Sequence, residues 1–279
     1  MREGIEEVAM AIVLTYPTGS ALVIGGTGRV GRGVAMRLAE AGLPVVFTYR
    51  SSEAEALALE CELRDRGLCA VARQMDLGDN DSIDDAIAFA EQWGGPLRTV
   101  ASAHGAIVPF NRLADFTVEE VEGFFREDAL GYFRLVNRAV PVLRRNGGGS
   151  LTLCSTYALR RIVTFDGASA FSKGSVEAMV RQIAVEEVHA RIRCNAVAIF
   201  FTTPDALEEV VAPLPPRWAG ADVPPERMLP ELLHEVTGHA RMGRLNKPDE
   251  AGNLYAFLAS EQAAYITGQI IAIDGGAGL

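Results

Sequence analysis

The chain has 279 residues, 49% of them hydrophobic, and a formal net charge of −10 at pH 7. That length suits one large α/β domain, and the apolar fraction is enough for a sizeable core. The negative balance argues against a nucleic-acid partner, and no apolar run reaches the roughly 18 residues of a membrane span.

Residues 1–19 read as an extension without clear periodicity, closed by Pro17 and Gly19. The apolar run at 8–14 is short and follows acidic residues, so no secretory signal is expected and the protein reads as cytoplasmic. A strand is predicted at 21–24. It runs into Gly25-Gly26-Thr27-Gly28-Arg29-Val30-Gly31, and a helix follows at once, with Val34 and Leu38 repeating at four-residue spacing after Val30. Such a turn needs residues without a Cβ, because the backbone must bend and let an anionic group approach. The helix N-terminus then offers N–H groups and a partial positive charge to a pyrophosphate. Gly25, Gly28 and Gly31 therefore read as a dinucleotide-binding turn, with Thr27, Arg29 and Val30 beside them. The second strand, 44–49, leads into Arg50-Ser51-Ser52. In a doubly wound fold this strand end lies beside the adenosine ribose. A carboxylate there would bind a free 2′-hydroxyl; Arg50 and Ser51, helped by Arg29, suit a 2′-phosphate. The expected cofactor is NADP(H).

A helix is predicted at 53–66 and a third strand at 68–75. Asp76 and Leu77 follow, where the carboxylate either accepts from an adenine amino group or caps the next helix, 82–93. The fourth strand, 99–103, ends at Ala103 and His104, an imidazole able to titrate near neutrality. A long helix at 117–145 is expected to break or bend near Gly131 and Pro141. The fifth strand, 150–154, delivers Ser155 at its C-terminal end, where open α/β sheets bind ligands. A helix at 168–191 carries Ser169 and Lys173 one turn apart on one face. The sixth strand is 193–199. Seven of the 13 prolines then fall within 204–240, together with Trp218. This segment reads as a substrate lid over the strand ends. A helix at 250–259 and a strand at 269–273 complete the chain. Strands alternating with helices throughout imply a doubly wound parallel sheet in three layers, one domain over 20–279. Cys61, Cys69, Cys154 and Cys194 lack metal-ligand spacing and read as small core residues. Glu186 with His189, and His234 with His239, lack ligand-like partners, and no metal is expected.

These residues resemble the short-chain dehydrogenase/reductase family, and within it the 3-oxoacyl-acyl-carrier-protein reductase type. The resemblance spans about residues 20–276. It rests on the turn at 21–31, the NADP-type second strand at 46–52, Asp76-Leu77, Asn195-Ala196-Val197-Ala198, and Tyr265-Ile266-Thr267-Gly268-Gln269 with Asp274-Gly275-Gly276. It implies a nicotinamide cofactor contacted by the glycine turn, Asp76, Leu77, Ala103 and Lys173. It also implies a small-molecule substrate and assembly as a homotetramer or homodimer.

The catalytic positions depart from the family. Its Ser and Lys correspond to Ser155 and Lys173, but the Tyr of Tyr-x-x-x-Lys is Ser169 and the Asn of the long helix is Asp128. A phenol has a pKa of about 10 and is tuned lower by a nearby cation; an aliphatic hydroxyl is a far weaker acid. Tyr157, two residues past Ser155, is a candidate replacement, and Asp128 can pair with Lys173 or accept from a water chain. The expected site is thus Ser155, Lys173, Tyr157 and Asp128. The expected function is NADP(H)-dependent interconversion of a carbonyl and an alcohol on a small or medium, partly hydrophobic substrate. Two alternatives stay open: a cofactor-binding or scaffold protein with impaired chemistry, and a non-redox lyase or isomerase.

Overall fold

The apolar runs assemble into one seven-stranded parallel sheet, seen in a computed structural model that describes residues 13–202 and 238–279. The strands are β1 Ser20–Ile24, β2 Val45–Tyr49, β3 Ala70–Gln74, β4 Leu97–Ser102, β5 Gly149–Thr156, β6 Ile192–Ile199 and β7 Ile270–Ile273. Their order across the sheet is β3-β2-β1-β4-β5-β6-β7. All five residues of β1 are buried, as a strand covered on both faces requires; a continuous apolar run replaces alternation there. The edge strand β3 exposes Arg73 and Gln74 instead.

Helices α1 Arg29–Glu40, α2 Glu53–Asp65 and α7 Pro248–Ala259 cover one face. They bury Val34, Leu38, Leu59 and Tyr255 against Ala21, Val23, Val45 and Phe47. Helices α3 Asn80–Gly94, α5 Gly131–Arg145 and α6 Gly167–Glu186 cover the other. They bury Ile83, Tyr132, Leu135 and Val180 against Leu22, Val46, Val100 and Leu153. Each fully buried aliphatic or aromatic side chain contributes roughly 1.5–3 kcal/mol, so these two layers carry the fold.

The long helix predicted at 117–145 is two helices. Helix α4, Val118–Phe125, starts on a Thr117–Glu120 capping box. It passes through a π-helical turn, Arg126–Leu130, directly into α5. The irregularity thus falls just before Gly131, as expected, whereas α5 runs on through Pro141 to Arg145. Helix α6 ends at Glu186, five residues earlier than the prediction. A short 3-10 turn, Val188–Ala190, and left-handed Arg191 then feed β6. Cys154 and Cys194 are core residues, but Cys61 and Cys69 are exposed. The expectation that all four pack inside is corrected: Cys61 lies on the outer side of α2 and Cys69 in the turn before the edge strand. Residues 1–12 of the predicted extension, and most of the predicted lid with Trp218 and His234, lie outside the described residues.

Candidate active site

The order reverses between β1 and β4, which opens a crevice at their C-terminal ends. The glycine turn forms one wall. Gly25 has φ +74°, and a Cβ on Gly31 would sit 1.9 Å from the Gly25 carbonyl oxygen. Only glycine permits the chain to double back this tightly. Helix α1 begins at Gly28 with no side-chain cap and no acidic residue in its first turn. By contrast, α3 is capped by Asp79 and α4 by Thr117. The first N–H groups of α1 are thus left without a side-chain acceptor, with the helix dipole behind them. A dinucleotide pyrophosphate fits this wall. Among the predicted contacts, Gly28 and Arg29 are exposed at the turn, and the Thr27 hydroxyl bonds that of Ser52 at 3.0 Å.

Arg50 and Ser51 are exposed at the end of β2. An Arg50 guanidinium N–H donates to Glu127 Oε1 at 3.4 Å. Asp76 is exposed; its Oδ1 accepts from Gly78 N at 2.8 Å, and its own N–H donates to Ser82 Oγ. Of the two readings for Asp76, helix capping does not describe it, since Asp79 caps α3. Leu77 is buried and packs beside Gly131 at the start of α5.

The β4 end closes the other wall. Ala103 N–H donates to the Ile24 carbonyl, and His104 Cα lies 3.4 Å from where a Gly25 Cβ would be. Burial and the Lys173 ammonium hold the His104 imidazole below its usual pKa, so it is neutral at pH 7. Its carbonyl accepts from the Tyr132 hydroxyl at 2.6 Å and from Lys173 Nζ at 3.3 Å.

Lys173 and Asp128 form an ion pair of 2.8 Å with side chains 6% and 1% exposed. Asp128 Oδ1 also accepts from Ala106 N–H at 2.9 Å, and Oδ2 accepts from the Ser172 hydroxyl at 2.7 Å. Burial opposes the charge on both groups. The Lys173 ammonium and these donors outweigh it at Asp128, whose pKa is lowered. Tyr132 and Asp128 outweigh it at Lys173, whose pKa is raised. The pair is therefore charged at neutrality. The π turn makes this possible: it sends Glu127 outward to Arg50 and its neighbour Asp128 inward to Lys173. Such turns recur at functional sites.

Beyond Lys173 lies a cavity of about 280 Å³, walled by Ala106, Ile107, Val108, Phe110, Thr156, Tyr157, Asp166, Ser169, Ile199, Phe200 and Phe201. Tyr157 lines it, with its ring buried edge-on against Phe200 at 4.6 Å. Ser155 does not. Its hydroxyl donates to Glu177 Oε1 at 2.8 Å, and Glu177 is held in turn by Arg160 and Arg181. Successive strand side chains point to opposite sides, so it is Thr156 that reaches the cavity. The prediction ended the strand at Cys154; running it two residues further by alternation would have found Thr156. Asp166, also in the cavity wall, is not among the residues predicted for the site.

Among the described residues, no group of three or more His, Cys, Asp or Glu side chains gathers as metal ligands would. No described helix is long and apolar enough to cross a membrane.

The comparisons with known proteins bear on this arrangement. A family profile described as enoyl-(acyl carrier protein) reductase matches residues 27–278. The chain belongs to the short-chain dehydrogenase/reductase family. A versicolorin reductase of Emericella nidulans is 30% identical to this dehydrogenase/reductase over 264 residues, covering 93% of this chain and 96% of the relative. An NADPH-dependent aldehyde reductase-like protein of Arabidopsis thaliana is 27% identical, covering 92% and 93%. A solved short-chain dehydrogenase/reductase from Mycobacterium ulcerans superposes with a TM-score of 0.81 at 23% identity, over 95% of this chain and 91% of that one. The family is one of enzymes, and these relatives place the chain among oxidoreductases that act on carbonyls and alcohols.

Proposed function

We propose that this dehydrogenase/reductase uses NADP(H) to interconvert a carbonyl and an alcohol on a small or medium, partly hydrophobic substrate. One observation carries the reading. The uncapped α1 N-terminus, the β4 end, Lys173 and the apolar-walled cavity are contiguous: a Gly105 Cβ would lie 3.3 Å from Lys173 Nζ, and Ala106 both holds Asp128 and lines the cavity.

A nicotinamide dinucleotide bound there supplies or accepts the hydride. The chain's own groups do the rest. The α1 N-terminus takes the pyrophosphate, and Arg50, with Arg29 and Ser51, takes the 2′-phosphate by exchanging the exposed Glu127 contact for a stronger charge. Asp76, Leu77 and Ala103 border the adenine and nicotinamide ends. Asp128 holds Lys173 in place; of the three donors on Nζ, one goes to Asp128 and one to the His104 carbonyl, and the third would be available to a nicotinamide ribose. Thr156 Oγ1 accepts from Ala158 N–H at 3.2 Å, which leaves its O–H to steady the substrate oxygen, the role expected of Ser155. Phe110, Phe200 and Phe201 match an apolar substrate body. The NADPH named for the Arabidopsis relative agrees with the Arg50 reading. Assembly as a homodimer or homotetramer belongs to the same proposal and is supported by Phe133 and Phe171, 57% and 55% exposed on α5 and α6.

A second reading, a protein that binds the cofactor without turnover, is favoured by the serine at 169 and by the tight hold of Asp128 on Lys173. Calorimetric titration with NADPH and NADH, followed by a ketone and aldehyde panel, tests both. Micromolar NADPH binding, much weaker NADH binding and NADPH oxidation support the first. NADPH binding with no turnover supports the second, and binding of neither nucleotide overturns both.

A further inference from the structure

Helix α6 should begin with a capped N-terminus. Asp166 stands at the N-cap position, where a carboxylate ordinarily accepts from the backbone N–H groups of the first turn. It makes no such bond. Instead it lines the same cavity as Thr156 and Ser169, where its carboxylate takes the Ser169 hydroxyl. The preceding residue, Phe165, has φ +68°. For a bulky side chain that left-handed conformation is strained, and such strain clusters at working sites. The strained residue redirects the chain just before Asp166. An abandoned cap, a strained neighbour and an inward carboxyl converge on the cavity, about two helical turns before Lys173.

On the reading of this site as a carbonyl–alcohol oxidoreductase, we propose that Asp166, hydrogen-bonded to Ser169, is the catalytic residue that gives the substrate oxygen its proton in reduction. A nicotinamide hydride donor supplies the electron pair that forms the new C–H bond. The carbonyl π pair moves to oxygen, and that oxygen forms its O–H bond as the O–H bond of the Asp166 carboxyl breaks. Asp166 is left as the carboxylate, which takes a proton from water. In alcohol oxidation the same carboxylate receives the proton.

The surroundings agree. Among the described residues, those lining the cavity with Asp166 are Ser169 from its own helix, Thr156 and Tyr157 from the end of β5, and the apolar side chains of the 106–110 loop and the β6 end. Among the described residues of these walls there is no Lys or Arg. Burial pushes the Asp166 carboxyl up to about 7 against the small opposing effect of Ser169. An acid of that strength is matched to the pH at which it must work.

The test combines D166N and D166E with wild type. The first readout needs no substrate: 13C NMR of aspartate-labelled protein shows one carboxyl titrating near pH 7 that D166N deletes. Because a half-buried carboxyl with a raised pKa must ionise, wild-type stability is fully present below about pH 4 and declines as pH rises to about 7. D166N is therefore expected to melt higher than wild type at pH 8 and the same at pH 4. In turnover, D166N loses about 10²–10⁴-fold in kcat with NADPH affinity unchanged. Wild-type reduction falls above pH 7, D166N shows no such limb, and D166E restores it. Aspartates titrating only near pH 4, or D166N with wild-type kcat and pH profile, overturn the proposal. Wild type that binds NADPH but reduces no carbonyl overturns the functional reading and this one with it; wild type that turns over equally well as D166N overturns this one alone.

Discussion

Removing Asp128 strands a buried cation. In D128A, Lys173 Nζ keeps the His104 carbonyl at 3.3 Å and the Tyr132 ring at 4.9 Å, in a place where its side chain is 6% exposed. Ala106 N–H loses its acceptor, while the Ser172 hydroxyl can still turn to the Ser169 carbonyl at 3.2 Å. Breaking a buried pair from one side costs about 3–5 kcal/mol, and we expect D128A near 4. At about 2–4 °C per kcal/mol for a chain of this size, the melting temperature falls by roughly 8–16 °C. K173M leaves a carboxylate that can protonate, so its loss is smaller, about 2–3 kcal/mol. The double variant D128A/K173M removes both charges and is expected to lose under about 2 kcal/mol. Urea denaturation of the four proteins closes the cycle with a coupling of at least about 4 kcal/mol. The pH dependence follows from the two shifts. The lowered Asp128 pKa contributes stability above its ordinary value of about 3.9 that is lost as pH falls further; the raised Lys173 pKa contributes stability below about 10.5 that is lost as pH rises further. The wild-type advantage over the double variant is thus flat from about pH 5 to 9. A D128A loss below about 1 kcal/mol, or singles that simply add, refutes a buried, mutually dependent pair.

The remaining predictions concern the cofactor wall and the proton. R50D replaces the cation beside the ribose with a carboxylate. A charge-assisted contact is worth about 1.5–3 kcal/mol, so the ratio of NADPH to NADH affinity should drop at least about tenfold by calorimetry; an unmoved ratio removes Arg50 from the 2′-phosphate. G31A places a Cβ 1.9 Å from the Gly25 oxygen and should weaken both nucleotides about tenfold or more with the helical circular dichroism retained. Equal binding by G31A would mean that the turn does not seat the pyrophosphate. Y157F should keep turnover within about threefold if Asp166 donates the proton, whereas a loss on the 10²–10⁴ scale of general acid catalysis would assign the donor to Tyr157 instead.

Much of this architecture is legible in the chain itself. Apolar runs such as Ala21 to Ile24, each followed by a helical pattern, suffice for a covered parallel sheet, because burial on both faces leaves no alternative periodicity. The glycine turn and Arg50 are local signals, since backbone conformation and charge act where they stand. So is the replacement of a family tyrosine by Ser169. What local signals do not carry is direction. Ser155 and Thr156 differ by one position on a strand, and only the sheet's contact with α6 sends the first to Glu177 and the second to the cavity. Asp128 and Lys173 are 45 positions apart, and their pairing needs both the π turn and the depth of the crevice. Asp166 looks like any helix cap until the fold turns it into the cavity wall. Sequence by itself determined the sheet, the cofactor turn and the residue types available for chemistry, because these follow from periodicity, missing Cβ atoms and spacing. Tertiary structure decided which of those residues face one another and which are cut off from water, because orientation and desolvation are properties of the packed chain.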